Sequence, residues 1–180
     1  MMEAQTGKVA AISPEILEKV RNTLDKKGFR TVVLKSEKEV KDFINTNIPD
    51  EHIVGLGDSI TTCKLNIRHI LAAKGSTIFY GWNGAENYNR SLDTFESLPR
   101  PDYYLTRINA LTVEGKILLK DYSKESARNQ QIPPYVFAFA GLNRIVSAFN
   151  NTDSITKYPV FDEVPSGVAF TVALLPFLTY

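Results

Sequence analysis

The chain holds one cysteine and two histidines in 180 residues. A single thiol, Cys63, closes no intramolecular disulfide, and no C-x-x-C spacing exists to grip zinc or an iron–sulfur cluster. His52 and His69 lack the spacing of a metal-ligating pair, so no cofactor is expected. Charge of one sign is also missing. Lysine and arginine total 21 against 20 acidic residues, a net charge of +1, with no dense basic block. That balance excludes the electrostatic footprint of a nucleic-acid or membrane-surface binder. The longest apolar stretch, Val168 to Leu178, is interrupted by Thr171 and Pro176. It falls well short of the roughly 20 apolar residues a spanning helix needs. The first residues, MMEAQTGKVAAISPE, lack the charged-then-apolar layout of a signal peptide. Together these absences predict a protein of the reducing cytoplasm.

What is present is ordinary globular composition: 43% hydrophobic, 23% charged and 11% aromatic. This is enough apolar material for one domain with a sizeable core. Residues 1–12 read as a flexible arm. Ser13 and Pro14 form a helix start, a capping side chain followed by proline at the first helical position. Ile16, Leu17, Val20 and Leu24 then recur at helical spacing until Gly28. Thr31 to Leu34 is apolar and β-branched, a strand. Ser36 caps a second helix with Val40, Phe43 and Ile44 on one face. His52 to Leu56 is the next strand, residues 60–73 the next helix, and Thr77 to Tyr80 another strand. This α-β-α-β-α-β alternation predicts an α/β fold, a mostly parallel sheet flanked by helices.

Residues 81–101, GWNGAENYNRSLDTFESLPRP, break the rhythm. A polar stretch of this length is either a solvated loop or a lid, the latter if Trp82 and Tyr88 face a site. Strands resume at Tyr103 to Thr106, Ile117 to Leu119 and Tyr135 to Phe139. The α/β domain is thus expected over residues 13–150. Residues 151–180 are expected as a C-terminal extension that packs on the domain or on a partner.

Three segments carry candidate chemistry. The first runs from Gly55 to Thr62, after a strand and before a helix. Glycine lets backbone approach a ligand closely, and a helix N-terminus offers unpaired N–H groups. Gly55, Gly57, Ser59, Thr61 and Thr62 would cradle a carboxylate or phosphate; Asp58 opposes an anion unless it turns away. The bland alternative is a tight turn with a Ser/Thr cap. The loop lacks the third glycine of a dinucleotide-binding fingerprint and the Gly-Lys-Ser/Thr of a P-loop. The second segment is Asn109 to Lys116, where Asn109, Thr112, Glu114 and Gly115 end one strand and begin another. Glu114 could present a carboxylate to a pocket, against the plainer reading of a β-turn with glycine at its tip. The third is Ala140 to Arg144, in which Asn143 and Arg144 could hold an anion by the guanidinium fork, or Arg144 could be a surface residue. Arg128 is a weaker candidate of the same type. Cys63 is expected as a plain buried thiol.

The strings VGLGDSITT, PDYYLTRINALTVEGKILL and PYVFAFAGLNRIV stand in this order over residues 13–149. In that order and spacing they resemble the LUD domain family, the LutC-type proteins of bacterial lactate utilisation. NALTVEG is similar to the family's Asn-Ala-(Leu/Ile)-Thr-Glu-Asp-Gly, and GLNRIV to its Gly-x-Asn-Lys-Ile-Val, with Arg144 keeping the lysine's charge. The family's Asn-x-Asp-Gly-x-Gly-Asn-Arg segment is eroded here to residues 120–128, KDYSKESAR, in which Asp121 and Arg128 remain. The resemblance implies a NagB/RpiA/CoA transferase-like fold, the fold of ribose-5-phosphate isomerases, glucosamine-6-phosphate deaminases and CoA transferases. It also implies an iron–sulfur partner protein in a lactate-utilisation complex.

Three functional readings follow. The first is a LutC-like protein binding a small anionic metabolite at the Gly55 to Thr62 loop. Glu114 and Asp121 would be its acid/base groups, and Arg144 or Arg128 its counter-charge. The second is an isomerase or CoA-transferase-like enzyme using Glu114, which requires that carboxylate to face the glycine loop. The third is a non-catalytic subunit or assembly module with a degenerate site, whose apolar tail from Val168 pairs with its own sheet edge or with another chain, as in a homo-oligomer.

Overall fold

A computed structural model of the protein describes residues 13–57, 59–80, 101–120, 133–147, 149 and 158–178. Helix α1 spans Pro14–Lys26 and opens as its sequence dictates: the Ser13 hydroxyl accepts from the Ile16 amide, and proline occupies the first turn. Strand β1 is Arg30–Val33. Helix α2, Glu37–Asn47, is capped by Ser36, whose side chain accepts from the Glu39 amide. Strand β2 is Ile53–Leu56. The helical pattern over 60–73 is divided into α3, Ile60–Lys64, and α4, Ile67–Ala73. The break is at Asn66, which takes the left-handed conformation with φ of 52°, one that asparagine tolerates better than most residues. Strands β3 (Thr77–Tyr80), β4 (Tyr103–Arg107), β5 (Ala110–Thr112), β6 (Ile117–Leu118) and β7 (Tyr135–Gly141) follow. After a single 3-10 turn at Leu142–Arg144 come β8 (Ile145–Val146), β9 (Val160–Phe161) and β10 (Ala169–Leu175).

The main sheet has six strands in the order β1-β10-β7-β4-β2-β3, and every pairing is parallel. A smaller sheet, β8-β5-β6-β9, lies beside it. The α/β class with a mostly parallel sheet is therefore what the alternation announced. Two apolar cores cover the two faces of the main sheet. On one, Val54, Leu56, Leu105, Phe139 and Leu175 meet α2 and α4 through Val40, Ile44, Ile67 and Leu71, all nearly or wholly buried. On the other, Tyr104, Val136, Ala138, Phe170, Val172 and Leu174 meet α1 and the small sheet through Val20, Leu24, Leu111 and Ile117. Successive strand residues enter opposite cores because strand side chains alternate. Strands covered on both faces read as continuous apolar runs, as AFTVALL in β10 does.

Strand β10 lies within the segment expected as a C-terminal extension. Residues Ala169–Leu175 pair with β7 on one side and with β1 on the other, Thr171 lying opposite both Phe137 and Arg30. The tail thus supplies an interior strand of the sheet, and its apolar surface is spent within this chain. The arm at 1–12 and the loop with Trp82 and Tyr88 lie outside the described residues. No helix among the described residues is long and apolar enough to cross a membrane.

Candidate functional site

In a parallel sheet, ligands gather at the carboxyl ends of the strands, where loops converge and the backbone turns. Here that edge is formed by the ends of β2, β4, β7 and β10. The glycine loop leaves it from β2, and the Gly57 amide donates to the Leu105 carbonyl of β4 at 2.8 Å. The loop is thereby tied two residues ahead of Arg107, the last residue of β4. Next to it, the Ile108 amide donates to the Phe139 carbonyl at 2.8 Å and the Leu142 amide to the Leu178 carbonyl at 3.2 Å. Gly57, Arg107, Gly141 and the turn at Asn143 and Arg144 therefore share one edge.

The hydroxyls of the loop are turned inward. Ser59, Thr61 and Thr62 are buried, at 4%, 5% and 2% exposure. The Ser59 hydroxyl accepts from the Thr62 amide at 3.1 Å and donates to Thr62 Oγ1 at 3.1 Å. The single Thr62 hydroxyl proton is shared between the Ser59 carbonyl at 2.8 Å and the Gly57 carbonyl at 3.1 Å. The Cys63 amide donates to the Ser59 carbonyl. This is a self-satisfied Ser/Thr cap on a five-residue helix, which corrects the picture of free hydroxyl donors waiting for an anion. Gly55 is corrected too. It lies inside β2, and a Cβ there would stand 2.9 Å from the Tyr104 ring, so the glycine makes room for that ring. Because α3 turns Thr61 and Thr62 toward the protein, Ile60 and Cys63 face outward, and Cys63 is exposed where a buried thiol was expected.

Residues of the second segment are drawn away from the edge. The Asn109 amide donates to the Leu118 carbonyl, and its side-chain oxygen accepts from the Lys120 amide at 2.7 Å, closing the base of the β5–β6 hairpin. The Thr112 hydroxyl accepts from the Lys116 amide at 3.0 Å inside the turn. Gly115 has φ of +77°, and a Cβ there would stand 3.1 Å from Thr23 and 3.5 Å from Leu24 of α1, and 3.4 Å from Lys27 at its end. Glu114 is exposed at that tip, over the α1 face, whereas the glycine loop leads into α3 on the other. Thr112, Glu114 and Gly115 therefore do not join the glycine loop. A hairpin needs its glycine for the left-handed turn, and that requirement alone accounts for the motif. Asp58, Asp121 and Arg128 lie outside the described residues.

The third segment does reach the edge, with a residue that sequence reasoning passed over. Strand alternation puts Arg107 on the same face as Tyr103 and Leu105, the face covered by α2 and α4. Its Nε atom is buried and has no hydrogen-bond partner. On the same face of the neighbouring strand, the Asn143 Oδ1 atom lies 3.1 Å from where a Cβ on Gly141 would stand. It too is buried without a partner. Burial, and after it the Arg107 guanidinium, lowers the pKa of Arg144 from its ordinary value. Two half-buried cations thus face each other's fields. Among the described residues no carboxylate pairs with either, since the ion pairs there involve other residues. The available signal for Arg107 was its position: one charge at the carboxyl end of the apolar strand YYLTR.

A cavity of about 320 Å³ opens at the opposite edge, lined by Arg30, Asn47, Tyr135, Phe137 and Phe170 among others. There Arg30 is already engaged, donating to Asn47 Oδ1 at 3.1 Å. The amino ends of parallel strands are not where such sheets build ligand sites. Among the described residues no three His, Cys, Asp or Glu side chains cluster to hold a metal ion.

The fold is similar to that of a DUF162 family protein from Deinococcus radiodurans. The TM-score is 0.55 at 15% identity, over 89% of this chain and 96% of that one. A weaker similarity, with a TM-score of 0.42 at 12% identity, reaches eIF2B beta from Chaetomium thermophilum over 81% of this chain and 48% of that one. No curated protein matches the chain. The model of the LUD domain matches residues 17–162, a span from within α1 to just past β9 that takes in the glycine loop, Arg107 and Arg144. The chain belongs to the LUD domain family.

Proposed function

We propose that this protein binds a small anionic metabolite at the carboxyl edge of its main sheet, with Arg107 and Arg144 as counter-charges. It would serve in lactate or related organic-acid utilisation in the bacterial cytoplasm, the role its family resemblance implies, alongside an iron–sulfur partner. The observation that carries the reading is the arginine pair. Two guanidiniums brought together in a partly buried setting repel one another and lose hydration, and such an arrangement is unfavourable unless an anion joins them. The lowered pKa of Arg144 expresses that cost, and the buried Nε of Arg107 is a donor without a hydrogen-bond partner. Anion recognition then falls to the guanidiniums, whose planar forks suit carboxylate or phosphate. The Ser59 and Thr62 hydroxyls hold the loop in shape.

The catalytic reading based on Glu114 has no support in its placement, and the interior position of β10 removes the apolar tail as a docking strand. A thermal-shift titration with lactate, pyruvate, malate and sugar phosphates tests the proposal. Binding to the native state raises the melting temperature by mass action. A shift that Arg144→Met abolishes is the expected outcome. Shifts that survive in both Arg107→Met and Arg144→Met would place the anion elsewhere.

A further inference from the structure

We propose a second ligand site at the amino edge of the main sheet, for a small aromatic carboxylate: one flat ring with its acid group on a short arm. The cavity of about 320 Å³ there falls at the lower end of the roughly 300–1,000 Å³ of small-molecule sites. Its walls follow from the strand register. Thr171 of β10 lies opposite Arg30 of β1, and Ala169, two residues earlier on the same face, lies opposite Tyr135 of β7. A methyl side chain thus stands between a guanidinium on one flank and a phenol ring on the other. Strands β1 and β7 are two strand spacings apart, about 9.6 Å, a gap that admits one ring and one carboxylate side by side. Both flanks are preset. The Tyr135 ring stacks on that of Tyr103, with centroids 4.8 Å and planes 16° apart. This separation matches the spacing of adjacent strands, so the second face of Tyr135 turns toward β10. Tyr135 is 44% exposed, because Ala169 is too short to cover that face. Arg30 donates through Nη1 to Asn47 Oδ1 at 3.1 Å, and Asn47 donates in turn to the Phe43 carbonyl at 2.8 Å. That chain holds the guanidinium in place and leaves the rest of its planar fork for an anion. The ion pairs among the described residues do not include Arg30. A ligand ring stacks on Tyr135 above Ala169, and its carboxylate meets the Arg30 fork. Ligands of parallel sheets usually sit at the other edge, where loops converge. This cavity is an exception because the strands and the end of α2 wall it without those loops, and it binds its ligand without converting it.

Phenylacetate titrated into the isotope-labelled full chain at neutral pH, followed by NMR amide shifts, tests the site. Saturable shifts at Arg30, Ala169 and Thr171 are expected. Acetate lacks the ring and benzyl alcohol lacks the charge, and each should bind there roughly tenfold more weakly. Ala169 is exposed, so Ala169→Leu can fill the floor without disturbing the core, and it should abolish the shifts at Arg30 and Thr171. Arg30→Met should reduce phenylacetate to the affinity of benzyl alcohol. Arg144→Met should leave phenylacetate binding at these amides unchanged, which separates this site from the anion site at the opposite edge. Equal affinity for acetate and phenylacetate at these amides would overturn the proposal. So would phenylacetate binding unaltered by Ala169→Leu, or no shift at these amides at all.

Discussion

The glycine loop and the arginine pair stand side by side at one edge of the same sheet, and they differ in where their hydrogen-bonding capacity goes. The loop, rich in hydroxyls and glycine, spends it internally. Ser59 and Thr62 bond each other and the loop backbone, and both are buried. The pair, on an otherwise apolar strand end and a short turn, leaves a buried donor and a buried acceptor unmatched. Buried polar groups are nearly always satisfied, so the exceptions point to where something else binds. Hydroxyls that resemble a site can be scaffolding, and the unmatched polar atoms can lie on neighbouring residues.

Substitutions can sharpen or break this contrast. The largest expected effect is on affinity. Arg107→Met removes a charge-assisted hydrogen bond, a loss of about 1.5–3 kcal/mol, which corresponds to roughly 10- to 150-fold weaker anion binding. Its melting temperature in the absence of ligand should hold or rise, because a half-buried cation with no carboxylate partner among the described residues is gone. A large fall in stability with unchanged affinity would make Arg107 a structural residue and dissolve the comparison. The opposite pattern is expected for Thr62→Val. It takes the hydroxyl donor from the Gly57 carbonyl and the acceptor from the Ser59 hydroxyl, which should cost about 1–3 kcal/mol of stability by denaturant unfolding and change anion affinity far less than Arg107→Met does. Ser59→Ala removes the cap and the hydrogen bond to Thr62 Oγ1 and should cost about 1 kcal/mol.

The smallest effect lies away from the edge. The Lys27 ammonium donates to the Asp162 carboxylate, and this hydrogen bond holds the carboxyl below its ordinary pKa. A folded-state pKa below the unfolded one adds stability above the unfolded value, near 3.8, and loses it as the pH falls through the folded value. The melting temperature should therefore drop slightly more in the wild type than in Asp162→Asn between pH 5 and 3. Anion affinity at neutral pH should be the same in both.

Much of the fold was legible. Caps at Ser13 and Ser36 and the apolar spacing in α1 and α2 are local signals, and the strands at 30–33, 53–56 and 77–80 stand close to where β-branched runs placed them. The apolar period over 60–73 continues past Asn66 and so predicts one helix, where a single left-handed residue makes two. The candidate site was legible in part. Asn143 and Arg144 were named from the sequence and do reach the edge, whereas Glu114 was named and does not. A hairpin tip and a strand end look alike in a string of letters; packing on α1 decides between them. Arg107 is not legible in the sequence because nothing local distinguishes a half-buried arginine at a strand end from one on the surface.

The sequence by itself determined the elements and their class. Capping residues, hydrophobic period and turn glycines act within a few residues of where they stand, and they specify alternating helices and strands and therefore a parallel sheet. Only the tertiary structure decided the strand order, which sets β10 from the far end of the chain between β1 and β7. It also decided which polar atoms were left over. A buried atom is unsatisfied only when every distant segment has taken its place, so the unmatched Arg107 Nε and Asn143 Oδ1 are a property of the assembled edge.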